Sequence, residues 1–247
     1  MVKKPAKVAL DQLLIDRRVL DTLQSARARI MAGEVIVNEQ RVDKPGTKFS
    51  SDVTIRLRGH EHPFVSRGGL KLEHALKLWP TAVSGAVCMD VGASTGGFSE
   101  VLLNFGAKKV YAIDVGYGQL AHKLRIDERV VNLERTHILD LDPSILSEPV
   151  SVVVIDVSFI SLEKILPRVV ELAAKNAAIY ALVKPQFEVS RDNIGPGGIV
   201  VDPLARQAAV DKVVSFAVHL GLQVRGVEAS PILGAKGNME FLLALQT

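Results

Sequence analysis

From Ala86 to the C-terminus, short apolar runs bounded by glycine, proline or polar clusters recur near 87–91, 109–114, 129–133, 150–157, 177–183, 222–228 and 238–245. Segments with apolar residues at helical spacing lie between most of them. Buried strands alternating with amphipathic helices predict an α/β fold, a Rossmann-like doubly wound sheet. A short glycine-containing connection precedes the final run, so the last strand is expected to be antiparallel. Helices are expected to begin at Ser161 and at Asp202, where an N-cap side chain precedes the pattern and Pro203 opens the second helix. A further helix is expected from Gly68.

Upstream, the pattern changes. Helical spacing over 8–16 and from about Thr22 to Ala32 is followed by a hairpin-like unit from Glu34 to Gly46 and a short run from Val53 to Leu57. This predicts a small α+β domain over residues 1–59, a linker over 60–67 and the α/β domain over 68–247. In the linker, His60 and His62 flank Glu61, but no further ligand stands at metal-binding spacing, so no metal site is expected.

Composition adds three exclusions. Hydrophobic residues make up 48% of the 247, enough for a real core, yet no apolar run is long enough to span a bilayer. The basic start has no apolar signal core behind it, and Cys88 is the only cysteine. A cytoplasmic chain without disulfides, with no membrane partner and plausibly monomeric, is expected. Residues 1–77 carry 15 Lys+Arg against 9 Asp+Glu, whereas the remainder carries 15 against 18, so the N-terminal end is the candidate for a polyanionic partner.

The stretch Val87 to Val101 reads as strand, tight turn and helix. Its turn, Asp90, Val91, Gly92, Ala93, Ser94, Thr95, Gly96, Gly97, Phe98, has glycines where a ligand must approach a helix N-terminus. It is neither the dinucleotide fingerprint nor a phosphate-binding loop with its lysine. With no Lys or Arg in the loop and Asp90 at its mouth, a cofactor that lacks phosphate and carries a positive centre suits it, and S-adenosyl-L-methionine has both properties. Asp114 ends the second strand, where a ribose-binding carboxylate is expected.

Two charged residues close otherwise apolar strands on the same edge: Asp156 and Lys184. The antiparallel last strand brings the start of its own segment, with Glu240, to that edge. Methylating an alcohol requires in-line placement and loss of the hydroxyl proton. Lys184 must shed its own proton to serve as base, or act by orienting the oxygen.

Two resemblances follow from these residues. Arg27-Ala-Arg-Ile-Met-Ala-Gly-Glu-Val-Ile-Val-Asn, with Lys44-Pro-Gly and Asp52-Val-Thr-Ile, resembles the alpha-L RNA-binding motif found in ribosomal protein S-four. It implies recognition of folded RNA by shape and phosphate contacts, with Arg18, Arg27, Arg29 and Lys48, together with Arg67 beyond the motif, as candidate RNA-binding residues. The motif's usual Ser-Arg at the start of the second helix is Thr22-Leu23 here. The second set is Ser66-Arg-Gly-Gly-Leu-Lys71, Asp90-Val-Gly-Ala-Ser-Thr-Gly-Gly-Phe, Asp114-Val-Gly-Tyr, Ile155-Asp156-Val-Ser-Phe, Val183-Lys184-Pro-Gln-Phe-Glu and Gly237-Asn-Met-Glu240. It resembles the TlyA family of FtsJ-like methyltransferases. That resemblance implies a catalytic tetrad of Lys71, Asp156, Lys184 and Glu240, cofactor contacts from the glycine loop and Asp114, and methylation of a cytidine ribose 2′-hydroxyl in ribosomal RNA or a ribosomal subunit. Where the family often reads Arg-Thr-Asn-Ile-Arg, this chain has Arg135-Thr-His137-Ile-Leu139. Competing readings are a haemolysin-like membrane-active protein and a non-catalytic RNA-binding assembly factor.

Overall fold

A computed structural model of the chain describes residues 7–17, 19–20, 22–57 and 63–247. It divides into two compact units between Pro63 and Phe64. Arg18 and the His60-Glu61-His62 segment lie outside the described residues.

In the first unit, β1 (Lys7–Ala9) leads into α1 (Leu10–Asp16), then α2 (Leu23–Met31), β2 (Val35–Val37), β3 (Gln40–Val42), β4 (Lys48–Ser50) and β5 (Ile55–Leu57). β2 pairs antiparallel with both β3 and β5, while β1 pairs with β4. Leu10, Leu14, Ala26, Ile30, Val35 and Val37 form its core. Thr22 caps α2, its hydroxyl accepting from the Ser25 amide at 3.2 Å. Strand β1 overlaps the start of the stretch expected to be helical from residue 8, and β4 falls between the hairpin-like unit and the run from Val53.

The second unit runs α3 (Gly68–Leu78), β6 (Val87–Val91), α4 (Gly97–Asn104), β7 (Lys109–Asp114), α5 (His122–Arg125), β8 (Val130–Glu134), β9 (Val150–Ile155), α6 (Leu162–Leu172), β10 (Ala173–Val183), α7 (Pro185–Glu188), α8 (Pro203–His219), β11 (Gln223–Ala229) and β12 (Phe241–Gln246). Its sheet has the order β11-β12-β10-β9-β6-β7-β8, with β6 to β10 parallel and β12 antiparallel to both neighbours. One face buries Leu162, Ile165 and Val169 of α6 with Val210 and Val213 of α8. The other buries Leu72 and Leu76 of α3 with Phe98, Val101 and Leu102 of α4. The helices start where capping chemistry puts them: Ser161 and Asp202 accept from the amides of Glu163 and Leu204.

Strand order reverses between β6 and β9, and in such sheets the crevice outside the carboxyl ends at that point receives the ligand. β10 begins at Ala173 rather than near 177, because α6 runs directly into it. The register breaks between Ala173 and Ala178, with Asn176 left-handed at φ 62°. The segment from Phe187 to Val201, rich in glycine and proline, is tied down by side-chain bonds. Asn238 fastens it, accepting from the Val200 amide at 3.1 Å and donating to the Gly198 carbonyl at 2.9 Å.

Candidate active site

Strand β6 is buried along its whole length and delivers the glycine loop to the reversal point. Gly92 adopts φ +87°, and a Cβ there would lie 2.4 Å from the Asp156 carbonyl oxygen, so only glycine lets the two strand ends meet. Asp114 organises the loop from the next strand. Its two carboxylate oxygens accept from the amides of Ser94 at 2.8 Å and Gly116 at 2.7 Å, and each oxygen retains a second accepting direction. The Ser94 hydroxyl donates to Gln119 at 3.1 Å.

Beside this loop lies a cleft of about 450 Å³ lined by Gly92, Ser94, Asp114, His137, Asp156 and Phe159, among others. Its volume falls in the range of small-molecule sites. Two carboxylates face it and neither a lysine nor an arginine lines it. A pyrophosphate would meet only like charge here, whereas a phosphate-free ligand with a cationic centre is matched. The residues present therefore fit S-adenosylmethionine.

Asp90 lies elsewhere than the loop's mouth. It is fully buried and lines neither this cleft nor its neighbour; its Oδ2 accepts from the Ser99 hydroxyl at 2.6 Å, and its Oδ1 is left without a partner. Burial, reinforced by the charges of Asp156 and Asp114 and opposed by the Ser99 bond, pushes its carboxyl up to about 7. Gly96 also lines neither cleft, packing instead toward Leu120 and Leu124.

A second cleft, of about 210 Å³, adjoins the first. Ala93, Thr95, Gly97 and Phe98 line it, with Arg67 and Lys71 on the opposite side, and it shares Gly92, Ser94 and Asp156 with the larger cleft. Two ion pairs built from four separate segments meet it through one member each, Lys71 and Asp156. Lys71, in the first turn of α3, donates to Glu240 at 2.5 Å, and both side chains are buried. Glu240 directly precedes β12, whose antiparallel course returns it to this edge. Lys184, between β10 and α7, places Nζ 2.6 Å from Asp156 Oδ1 and donates to the Ser158 hydroxyl at 3.0 Å. Asp156 Oδ2 in turn lies about 4.0 Å from the position a Cβ on Gly68 would take. The result is two lysine–carboxylate pairs, with Lys71 and Asp156 both lining the cleft that opens beside the glycine loop.

Residues 64–247 match the family model described as FtsJ-like methyltransferase. The chain belongs to that family. Curated relatives of this FtsJ-like methyltransferase include 16S/23S rRNA (cytidine-2'-O)-methyltransferase TlyA of Mycobacterium tuberculosis, 46% identical over 98% of this chain and 90% of that protein. The protein provisionally named rRNA methyltransferase YqxC of Bacillus subtilis is 46% identical over 97% of this chain and 85% of its own length. A solved structure from Streptococcus thermophilus, provisionally named a hemolysin, superposes with TM-score 0.75 and 42% identity, covering 99% of this chain and 89% of that one.

In this FtsJ-like methyltransferase the candidate RNA-binding residues have different surroundings. Arg27 is more than half exposed but pairs with Asp11 at 2.8 Å. Arg29 is largely covered and lies 3.8 Å from Glu34. Lys48 is exposed on β4 and forms no ion pair among the described residues. Arg67, immediately before α3, lines the smaller cleft and donates to the Gly234 carbonyl at 3.1 Å. Three residues near the site carry no signal in the pattern. Ser158 braces Lys184, Ser66 lines the smaller cleft beside Gly97, and Glu100 on α4 accepts from the Val65 amide at 2.5 Å. Phe159 stands out only in three dimensions: it is 91% exposed, left-handed at φ 65°, and its ring lies 5.1 Å from that of Phe187. No helix among the described residues is long and apolar enough to cross a membrane, and no cluster of potential ligands there could hold a metal ion.

Proposed function

We propose that this protein transfers a methyl group from S-adenosylmethionine to the ribose 2′-hydroxyl of a cytidine in ribosomal RNA, acting on the RNA or a ribosomal subunit in the cytoplasm. The observation that carries the reading is the position of Asp156, which lines both the larger cleft and the smaller one and is held by Lys184 at 2.6 Å. When bound, S-adenosylmethionine supplies the electrophilic methyl. Gly92, Ser94 and Asp114 hold the cofactor, and Asp114 takes its ribose. The identity of 46% to an rRNA (cytidine-2'-O)-methyltransferase over nearly the whole chain supports the substrate class.

Lys71, Asp156, Lys184 and Glu240 form the reaction centre. Asp156 and Ser158 fix Lys184 Nζ, and Lys184 orients the 2′-oxygen for in-line attack. Placement of this kind lowers a barrier by several kcal/mol, up to about 7–11 in the best cases. In its neutral form Lys184 also takes the hydroxyl proton; in its charged form it only orients. Lys71, held by Glu240, presents its ammonium to the cleft as part of the reaction centre, and the pair also keeps the wall fixed. The first unit serves as an alpha-L RNA-binding domain, with Lys48 and the helix face around Arg27 as its phosphate contacts. Incubating the protein with labelled S-adenosylmethionine and unmodified ribosomal RNA or subunits tests the reading: label is expected in RNA with the native protein and absent with Lys184→Ala.

A further inference from the structure

Beyond the far end of α3 lies a third cleft, of about 490 Å³. The eleven residues of α3 span about 16 Å. Lys71 stands near the helix start, in the smaller cleft of the reaction centre, while Trp79 follows the helix end and lines the third cleft. Both ends belong to the same compact unit.

The lining is chemically one-sided. Trp79 rests on the backbone of Gly226, where a Cβ would come within 2.4 Å of the indole nitrogen, so the ring is backed by main chain rather than by a side chain. Pairing of β11 with β12 shifts register between Val224 and Gly226, leaving Arg225 as the extra residue of a bulge. Its guanidinium donates to Gln223 at 3.3 Å and forms no ion pair with a carboxylate among the described residues. Amides of Asn176 and Gln246 also line the cleft, whereas no aspartate or glutamate does. An aromatic plane, an uncompensated guanidinium and amide groups suit a base that stacks and a phosphate that accepts. A cationic ligand would meet like charge.

We propose that this third cleft holds an unstacked nucleotide of the RNA substrate, a few positions along the strand from the methylated one, with α3 setting the distance between the two. The proposal rests on the reading of the protein as an RNA methyltransferase.

Trp79 is the only tryptophan in the chain, so its emission reports on this cleft alone. The full-length protein, saturated with S-adenosylhomocysteine, is titrated with hexauridylate and separately with AMP, each for the native chain, Arg225→Ala and Lys184→Ala. The expected result is a saturable change in Trp79 emission with hexauridylate, weakened about tenfold in Arg225→Ala by loss of a charged hydrogen bond and unaltered in Lys184→Ala. Arg225→Ala is also expected to raise KM for rRNA with kcat and cofactor affinity unchanged. No saturable response, or an equal response in Arg225→Ala, overturns the proposal. So does a response to AMP without one to hexauridylate, which assigns the cleft to a free nucleotide. Methyl transfer is read separately: rRNA labelling without the emission change removes only this cleft, whereas the emission change without rRNA labelling removes the reading on which it rests.

Discussion

Lys184 Nζ and Asp156 Oδ1 lie 2.6 Å apart, on residues that follow the ends of two adjacent parallel strands, β10 and β9. Asp156 also lines both clefts, so in the proposed mechanism this contact joins the cofactor side to the acceptor side. In that mechanism, replacing Lys184 removes the group that orients the acceptor without touching Gly92, Ser94 or Asp114. Lys184→Ala is therefore expected to lower kcat for methyl transfer by about 10²–10⁴, with cofactor affinity by calorimetry within a few-fold of native. A near-native rate would take Lys184 out of the chemistry.

The Lys71–Glu240 pair is the more deeply buried of the two, with side chains 8% and 3% exposed. Removing one partner leaves an uncompensated buried charge. Lys71→Met alone is expected to cost about 3–5 kcal/mol in urea denaturation, and the double variant Lys71→Met/Glu240→Leu should recover most of it. Activity should be lost in both. Recovery of activity along with stability would show that the pair is only a structural element.

Much of this geometry was legible in the chain's pattern. The runs ending at Val91, Asp114 and Val183 became strands with those ends, and the antiparallel last strand did bring Glu240 to the carboxyl edge. Asp90 is the exception: a carboxylate at the end of a buried run looks like a cleft residue, but the Ser99 hydroxyl, in the first turn of α4, claims it. Ser158 and Phe159 fall in the motif from Ile155 to Phe159, but the apolar pattern does not mark them, for a different reason. Their roles depend on a turn after β9 whose φ of 65° at Phe159 no periodicity encodes. The third cleft was equally hidden: it combines residues from α3, β10, β11 and β12 that only the strand order makes neighbours.

Burial of Asp90 has a consequence for stability against pH. Its carboxyl titrates at about 7 in the fold against 3.8 ordinarily, so between pH 4 and 7 the unfolded chain releases a proton that the folded chain retains. Stability from this group thus falls as pH rises through that window, by about 1.4 kcal/mol per unit, and levels off above it. Asp90→Asn keeps an acceptor for Ser99 and removes the titration. Denaturation at several pH values is expected to show the variant gaining on the native chain from pH 4 to 7; a constant difference across that range would mean that Asp90 is ionised in the fold.

Lys48 is exposed and free of ion pairs among the described residues, which leaves it available to a phosphate. Lys48→Glu should weaken rRNA binding across sequences alike and lower the slope of log affinity against log salt by about one. Cofactor affinity should be untouched. An unchanged salt slope would remove Lys48 from the RNA contact.

The most direct test of the whole account is to incubate the protein with labelled S-adenosylmethionine and unmodified ribosomal RNA or subunits and to map the product by nuclease digestion and mass spectrometry. A single methyl on the 2′-oxygen of a cytidine is expected, absent when Lys184→Ala replaces the native chain. Methyl on a base, or no incorporation into any ribosomal RNA or subunit, would contradict it.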